Sequence, residues 1–313
     1  MKKKILIFLG LVATIILFLF IFVFFYAGIY EFFPSSKELP ISTQIEDHRV
    51  EIEGMAIHYR TLGNKDQQSI VFIHGWGGPY GNNDQITTAL NNQGFQVFTM
   101  ELPGLDRSST PKQPLSNDDY ARFFAKVFQK LEIEDSIVVG QSFGGGVAAS
   151  YASLFPEDLK YLVLVDSNTT DKDHLYPKLV NLLGNIFQST LKSGFIPKGV
   201  KSTFVKFMLS VPQEQVEEEP LIQRAIMGET FVLTHTENQS KKLESISTPT
   251  ILIWGESDKK VTLDQAKKMQ EKLQKSTLRV LPGGHTVIYK EPAAVAKLIK
   301  AEVDKLNTQT NSN

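Results

Sequence analysis

The sequence predicts an α/β protein, with a mostly parallel sheet between helix layers, one inserted helical segment and one preceding transmembrane helix. Three observations carry this. Short, wholly apolar runs such as Ile70-Val71-Phe72-Ile73 and Leu162-Val163-Leu164-Val165 suit strands covered on both faces. These runs alternate with stretches of helical periodicity. Strand-like runs then vanish over residues 168–247 and resume afterwards, so the sheet is interrupted once.

The bulk properties fit a large folded core. Of 313 residues, 42% are hydrophobic and 21% charged, which excludes a disordered or low-complexity chain. Thirty-three Lys and Arg against 34 Asp and Glu leave a net charge of -1. That supplies no cationic field for a phosphate backbone, so nucleic acid is not an expected partner. There is no Cys; disulfides, thiolate catalysis, Cys-ligated zinc and iron-sulfur clusters are therefore excluded, and any nucleophile must be oxygen or nitrogen.

Taken in order, the chain begins with Lys2, Lys3 and Lys4, followed by 26 uncharged residues from Ile5 to Tyr30. As a helix this stretch would be about 39 Å long, enough to cross a hydrocarbon core of about 30 Å. A cleavable signal has an apolar region of about 7 to 15 residues, whereas this one continues through Phe24, Phe25 and Tyr26. It reads as an uncleaved signal-anchor over 1–30, with a weak cut site at Ala27-Gly28 as the alternative. The lysines before the segment place the N-terminus in the cytoplasm and the rest of the chain outside it. Pro34, Ser35, Ser36 and Pro40 mark a tether over 31–47.

A hairpin opens the folded part, with Val50–Glu53 and Met55–Arg60 joined at Gly54. Strands are expected at Ser69–His74, Phe95–Met100, Ser136–Gly140, Tyr161–Asp166, Thr250–Trp254 and Leu278–Leu281. Late helices are expected over Leu263–Leu273 and Pro292–Leu306. The core thus comprises residues 48–167 and 248–306. The insertion, 168–247, reads as a cap with helices over Pro177–Leu191, Lys198–Leu209 and Leu221–Leu233. Residues 307–313 form a polar tail expected to fray.

The chemistry centres on Gly140-Gln141-Ser142-Phe143-Gly144, which directly follows the strand Ile137-Val138-Val139 and precedes a helix. A strand-to-helix turn of this kind forces an unusual backbone at its central residue and lifts the Ser142 hydroxyl from the sheet edge, and its small neighbours allow close packing. A serine hydroxyl is a weak nucleophile and needs a base oriented by an acid. Of six histidines, at 48, 58, 74, 174, 235 and 285, only His285 sits in a loop after a late strand, within Pro282-Gly283-Gly284-His285. Asp258, after Ile251-Leu252-Ile253-Trp254, is the first candidate acid. Asp166, after Val163-Leu164-Val165, competes with it, and Glu256 is a weaker candidate. All lie at strand carboxyl ends, where open sheets hold their reactive groups. Acyl transfer also needs oxyanion donors, and the backbone N–H groups of Phe143 and of Trp76, in His74-Gly75-Trp76-Gly77-Gly78, are placed to serve. His74 itself reads as a hydrogen-bonder that shapes this turn. The elbow lacks a G-x-G-x-x-G spacing, and no cofactor or metal is implied.

These pieces together resemble the α/β-hydrolase superfamily, specifically its capped serine hydrolases of esterase and lipase type, over about residues 48–306. The resemblance rests on His74-Gly75, the elbow at Ser142, Asp258 and the final Gly-Gly-His at His285, in the family's order. It implies a Ser142–His285–Asp258 triad, an oxyanion hole from Trp76 and Phe143, and a small-molecule or lipid-like acyl substrate, with the membrane reached through residues 5–30. Members that cleave carbon-halogen bonds or epoxides carry Asp at the elbow, so Ser142 favours acyl chemistry. Proline-releasing aminopeptidases of the family have a His-Gly-Gly-Pro-Gly loop, of which Gly77-Gly78-Pro79-Tyr80-Gly81 is a shifted echo; Glu229 is the cap carboxylate that would bind a substrate amine on that reading. The loop Glu101 to Ser108 is similar to the family's Asp-x-Pro-Gly-x-Gly-x-Ser but carries Glu101 and Asp106 in place of Asp and Gly. Apolar cap residues, among them Phe187, Phe204, Phe207, Met208, Leu209 and Phe231, are expected to pack the cap and in part to wall an acyl site.

Overall fold

The computed structural model describes residues 41–76, 83–105, 107–169, 182 and 221–310. The segment Ile5–Tyr30, the cap helices expected over Pro177–Leu191 (Leu182 apart) and Lys198–Leu209, and Asp106 lie outside the described residues. Among those described, no helix is long and apolar enough to cross a membrane.

Strand β1 (Glu46–Ile52) and β2 (Met55–Leu62) pair antiparallel. The two residues joining them, Glu53 and Gly54, have φ of 52° and 78°, the double left-handed turn that matches the twist of a tight hairpin. β1 thus begins earlier than the expected Val50, inside the stretch read as a tether. There His48 stacks on Tyr59 with ring centroids 5.0 Å apart, and its Nε2 lies 2.8 Å from Thr61 Oγ1.

The chain continues through β3 (Ser69–Ile73), α1 (Asn83–Asn91), β4 (Gln96–Met100), α2 (Asn117–Lys130), β5 (Ser136–Gln141), α3 (Phe143–Leu154) and β6 (Leu159–Val165). After the insertion, of which α4 (Leu221–Thr236) and α5 (Ser240–Ser245) are described, come β7 (Thr250–Gly255), α6 (Leu263–Lys272), β8 (Ser276–Leu281), α7 (Val287–Lys290) and α8 (Pro292–Thr310). The eight strands form one sheet in the order β1-β2-β4-β3-β5-β6-β7-β8. All neighbours from β4 to β8 run parallel, and only the β1–β2 and β2–β4 pairs are antiparallel.

The alternation within each apolar run explains the layers. Val71, Ile73, Val138, Leu162, Leu164, Leu252 and Trp254 face α2, α3 and α6 in one core. Ile70, Phe72, Ile137, Val139, Val163, Val165, Ile251 and Ile253 face α1, α7 and α8 in the other. Successive side chains of a strand point to opposite faces, so only a sheet covered twice accepts such runs. Each large apolar side chain so buried contributes about 1.5–3 kcal/mol.

The last helix departs from expectation. α8 continues to Thr310 instead of ending near Leu306. Thr308 Oγ1 donates to the Asp304 carbonyl at 2.9 Å, and the Tyr161 hydroxyl donates to Asn307 Oδ1 at 2.8 Å. These side-chain bonds hold a polar segment whose composition alone reads as a fraying tail.

Candidate active site

Ser142 sits between β5 and α3 with φ 51° and ψ -114°, a conformation that is an outlier for a residue with a side chain. The surrounding packing imposes it. A Cβ at Gly140 would overlap the Gly144 carbonyl and the Gly145 α-carbon, and one at Gly144 would overlap the carbonyl oxygens of Ile73 and His74. The Ser142 N–H donates to the Val165 carbonyl at 3.0 Å, and its carbonyl accepts from Gly145 and Asn168, both at 3.0 Å. The turn is therefore fixed by backbone bonds on both sides, and the hydroxyl takes no part in holding it.

His285 Nε2 lies 2.9 Å from Ser142 Oγ, and His285 Nδ1 lies 2.8 Å from Asp258 Oδ2. All three residues are buried. The other carboxylate oxygen of Asp258 accepts the N–H groups of Lys260 at 2.7 Å and Val261 at 3.0 Å, so the carboxylate is fixed in orientation towards the imidazole. The loops carrying Asp258 and His285 are stitched together: Ser257 donates to the Gly283 carbonyl through its N–H at 2.8 Å and its hydroxyl at 2.7 Å. A hydroxyl, an imidazole and a carboxylate in this sequence can move a proton off the hydroxyl while the imidazolium so formed stays paired.

The competing acids stand elsewhere. Asp166 is fully buried with φ 45°, and its Oδ1 accepts the Gly255 N–H at 2.8 Å. Burial, reinforced by the nearby charge of Asp258, pushes its carboxyl well above the ordinary carboxylate range. Glu256 is exposed, and its N–H donates to the Leu281 carbonyl at 2.8 Å. Of the three candidates, Asp258 is the one hydrogen-bonded to His285.

Beside the elbow, His74 donates from Nδ1 to the Gly75 carbonyl at 2.7 Å and accepts the Leu102 N–H on Nε2 at 3.2 Å. It ties the turn after β3 to the loop after β4, as a structural histidine would. Glu101 fits the same loop. It is fully buried and takes the Arg107 N–H at 3.0 Å and Arg107 Nη2 at 2.9 Å. The departure from the family pattern at this position is thus filled by an internal ion pair that also reaches Asp47.

Trp76 and Phe143, the expected oxyanion residues, are neighbours: their rings meet edge to face with centroids 5.3 Å apart. Phe143 opens α3, where an N–H has no intrahelical acceptor. Among the described residues neither its N–H nor that of Trp76 donates to a backbone carbonyl. α4 closes over this pair. Phe231 lies 5.2 Å from Trp76 and 3.9 Å from His235, and His235 stacks on Phe143 at 6.0 Å. The Leu115 N–H donates to Thr230 Oγ1 at 3.1 Å, and Asn117 Nδ2 donates to Glu237 Oε2 at 2.7 Å. These bonds dock α4 on the core.

Sequence reasoning singled out Phe231 but missed His235, whose signal was its position one helical turn after Phe231. It also missed Gln141, inside the elbow itself. Glu229 is half-buried on α4; His174 and the remaining cap phenylalanines lie outside the described residues. Among the described residues no group of three or more His, Asp or Glu converges as a metal site would.

The sequence model of the serine aminopeptidase family S33 matches residues 64–293 of this chain. The chain belongs to that family. Its fold is the α/β-hydrolase fold, and it is a hydrolase of that superfamily. Among relatives, a 2-hydroxy-6-oxononadienedioate/2-hydroxy-6-oxononatrienedioate hydrolase of Pseudomonas putida is 25% identical over 261 residues, covering 79% of this chain and 90% of the relative. Lipase 1 of Psychrobacter immobilis is 26% identical over 217 residues, covering 64% and 65% of the two chains. Among solved structures, a bacterial membrane phospholipase A superposes with a TM-score of 0.67 at 20% identity, covering 98% of this chain and 99% of that one. Relatives of the chain thus include hydrolases of more than one class, and the site's own residues must discriminate among them.

Proposed function

We propose that the protein is a serine hydrolase of carboxylic esters, with acyl lipids or other amphiphilic esters as its substrate class. The observation that carries the reading is the chain Asp258–His285–Ser142, with hydrogen bonds of 2.8 and 2.9 Å, ending on the strained elbow. The lipase among the relatives supports an ester as the bond cleaved.

In this mechanism Ser142 Oγ attacks the ester carbonyl while His285 Nε2 takes its proton. The N–H groups of Phe143 and Trp76 face the negative charge that develops on the carbonyl oxygen, a contribution worth about 3–4 kcal/mol for one donor in a measured case. Collapse of the tetrahedral intermediate breaks the bond to the alcohol, which leaves with the proton from His285, and the acyl group stays on Ser142. Water then repeats the sequence, giving its proton to His285 and releasing the acid. Asp258 orients the imidazole and stabilises its charged form throughout. On this reading the aromatic group Trp76, Phe231 and His235, packed beside Phe143, would wall the acyl chain's path, and apolar walls of this kind favour a hydrocarbon substituent.

The same reading places the catalytic domain outside the cytoplasm, held at the bilayer by Ile5–Tyr30. Support for this part is the length and apolarity of that segment and the three lysines before it. Anchoring would keep the site where amphiphilic esters concentrate.

The test is a series of p-nitrophenyl esters of increasing acyl length, run beside aminoacyl anilides including the prolyl one. Ester turnover exceeding anilide turnover by orders of magnitude is the expected result. Preference for the prolyl anilide would move the assignment to an aminopeptidase, with Glu229 as the first residue to examine.

A further inference from the structure

One side chain in the elbow has no part in the chemistry just described, yet it reaches both the turn after β3 and the loop of the base. Gln141, the last residue of β5, is buried at 1% exposure. Its Nε2 donates to the main-chain carbonyl of His285 at 3.2 Å. Its Oε1 lies against Gly75, where a Cβ would overlap it, and the same Cβ would come within 3.2 Å of Ser142 Cβ. The amide therefore sits between the elbow, the turn after β3 and the loop of the base.

The orientation of that amide is fixed by chemistry. Reversed, it would set Oε1 against the His285 carbonyl, two acceptors face to face. As placed, Oε1 is sealed from solvent and has no hydrogen-bond partner among the described residues. A buried acceptor left unmet is unfavourable, and a hydrocarbon side chain of the same length would avoid it. The polar head is thus accounted for by its N–H group. Gln141 precedes the nucleophile directly and has its backbone locked in register with Val165, so it belongs to the rigid part of the site. The His285 loop, by contrast, depends on Gly283, with φ 137°, and on the two bonds from Ser257 to the Gly283 carbonyl.

We propose that Gln141 is a positioning residue: its amide clamps the His285 main chain to the elbow and so keeps Nε2 within reach of Ser142 Oγ. The inference rests on the serine-hydrolase reading. It is tested in the full-length chain with Gln141→Met, which keeps length and burial but removes the donor. The expected result is a fall in kcat of about 10- to 100-fold, as small misplacements of a catalytic group produce, with KM within about threefold. The downfield proton NMR signal of His285 Nδ1–H, bonded to Asp258, should broaden or disappear while the melting temperature stays within about 3 °C. If the Met variant folds poorly, Gln141→Leu provides the same test, because its side chain likewise has no donor. Wild-type kcat with an unchanged imidazole signal in either folded variant would overturn the proposal. A lack of phosphonate labelling at Ser142 in the wild type would instead overturn the hydrolase reading, while the NMR signal would still decide the clamp.

Discussion

Asp166 and Asp258 follow adjacent strands, and their hydrogen bonds separate them. Asp258 faces His285 and two N–H groups; Asp166 faces the Gly255 N–H in a site that disfavours its charge. Asp258→Asn should therefore lower kcat by about 10⁴, since the amide cannot hold the imidazole in its working tautomer. Asp166→Asn keeps an acceptor for Gly255 and should leave kcat within about threefold. Steady-state kinetics on a short ester checks both, and a larger loss in the Asp166 variant at equal stability would transfer the acid role to the sixth strand. Stability gives a second reading. Because burial raises the folded-state pKa of Asp166 above the unfolded value, near 3.9, both states hold the proton at low pH. The unfolded state releases it first as pH rises, so this residue's contribution is fully present below that value and is lost as pH climbs towards the folded pKa. Urea midpoints between about pH 4 and pH 7 should consequently fall less steeply in Asp166→Asn than in the wild type. Parallel curves would show that Asp166 ionises normally.

The elements were legible where periodicity had only one solution. Runs such as Val163-Leu164-Val165 cannot be half-exposed strands, and the elbow after Val139 fixed where the nucleophile stands relative to the sheet. What escaped depended on side-chain bonds over long sequence separations: the docking of Asn307 on Tyr161, and the seating of α4 through Leu115 to Thr230. Within α4, Phe231 was visible as an apolar position but its stack with His235 was not, because composition does not show which face of a helix meets another element. Two predictions belong to this scale. α2 begins with a reciprocal capping box, the Ser116 hydroxyl accepting the Asp119 N–H at 3.2 Å and Asp119 accepting the Ser116 N–H at 2.9 Å. Ser116→Ala should cost about 1 kcal/mol in equilibrium urea unfolding, with kcat unchanged. Phe231→Ala should lower kcat/KM more for long acyl esters than for acetyl esters; an equal loss across the series would make Phe231 a packing residue with no part in chain recognition.

At the scale of the whole molecule, the chain carries a hydrolase domain and, before it, an apolar segment that the sequence reads as an anchor. If anchoring serves to present substrate, the fragment beginning near Ser36 should keep its kcat on a short dissolved ester and lose rate on esters presented in vesicles. Equal loss on both would mean the segment supports folding, and equal retention would leave it as a tether alone. All of this depends on Ser142 being the nucleophile. A fluorophosphonate probe reacts covalently with an activated serine, and the modified residue can be located by peptide mass spectrometry. The account predicts a single adduct on Ser142, absent in Ser142→Ala, whose kcat falls by about 10⁴ to 10⁶. An unlabelled wild type, or an Ser142→Ala variant that still turns over ester at the wild-type rate, would contradict it.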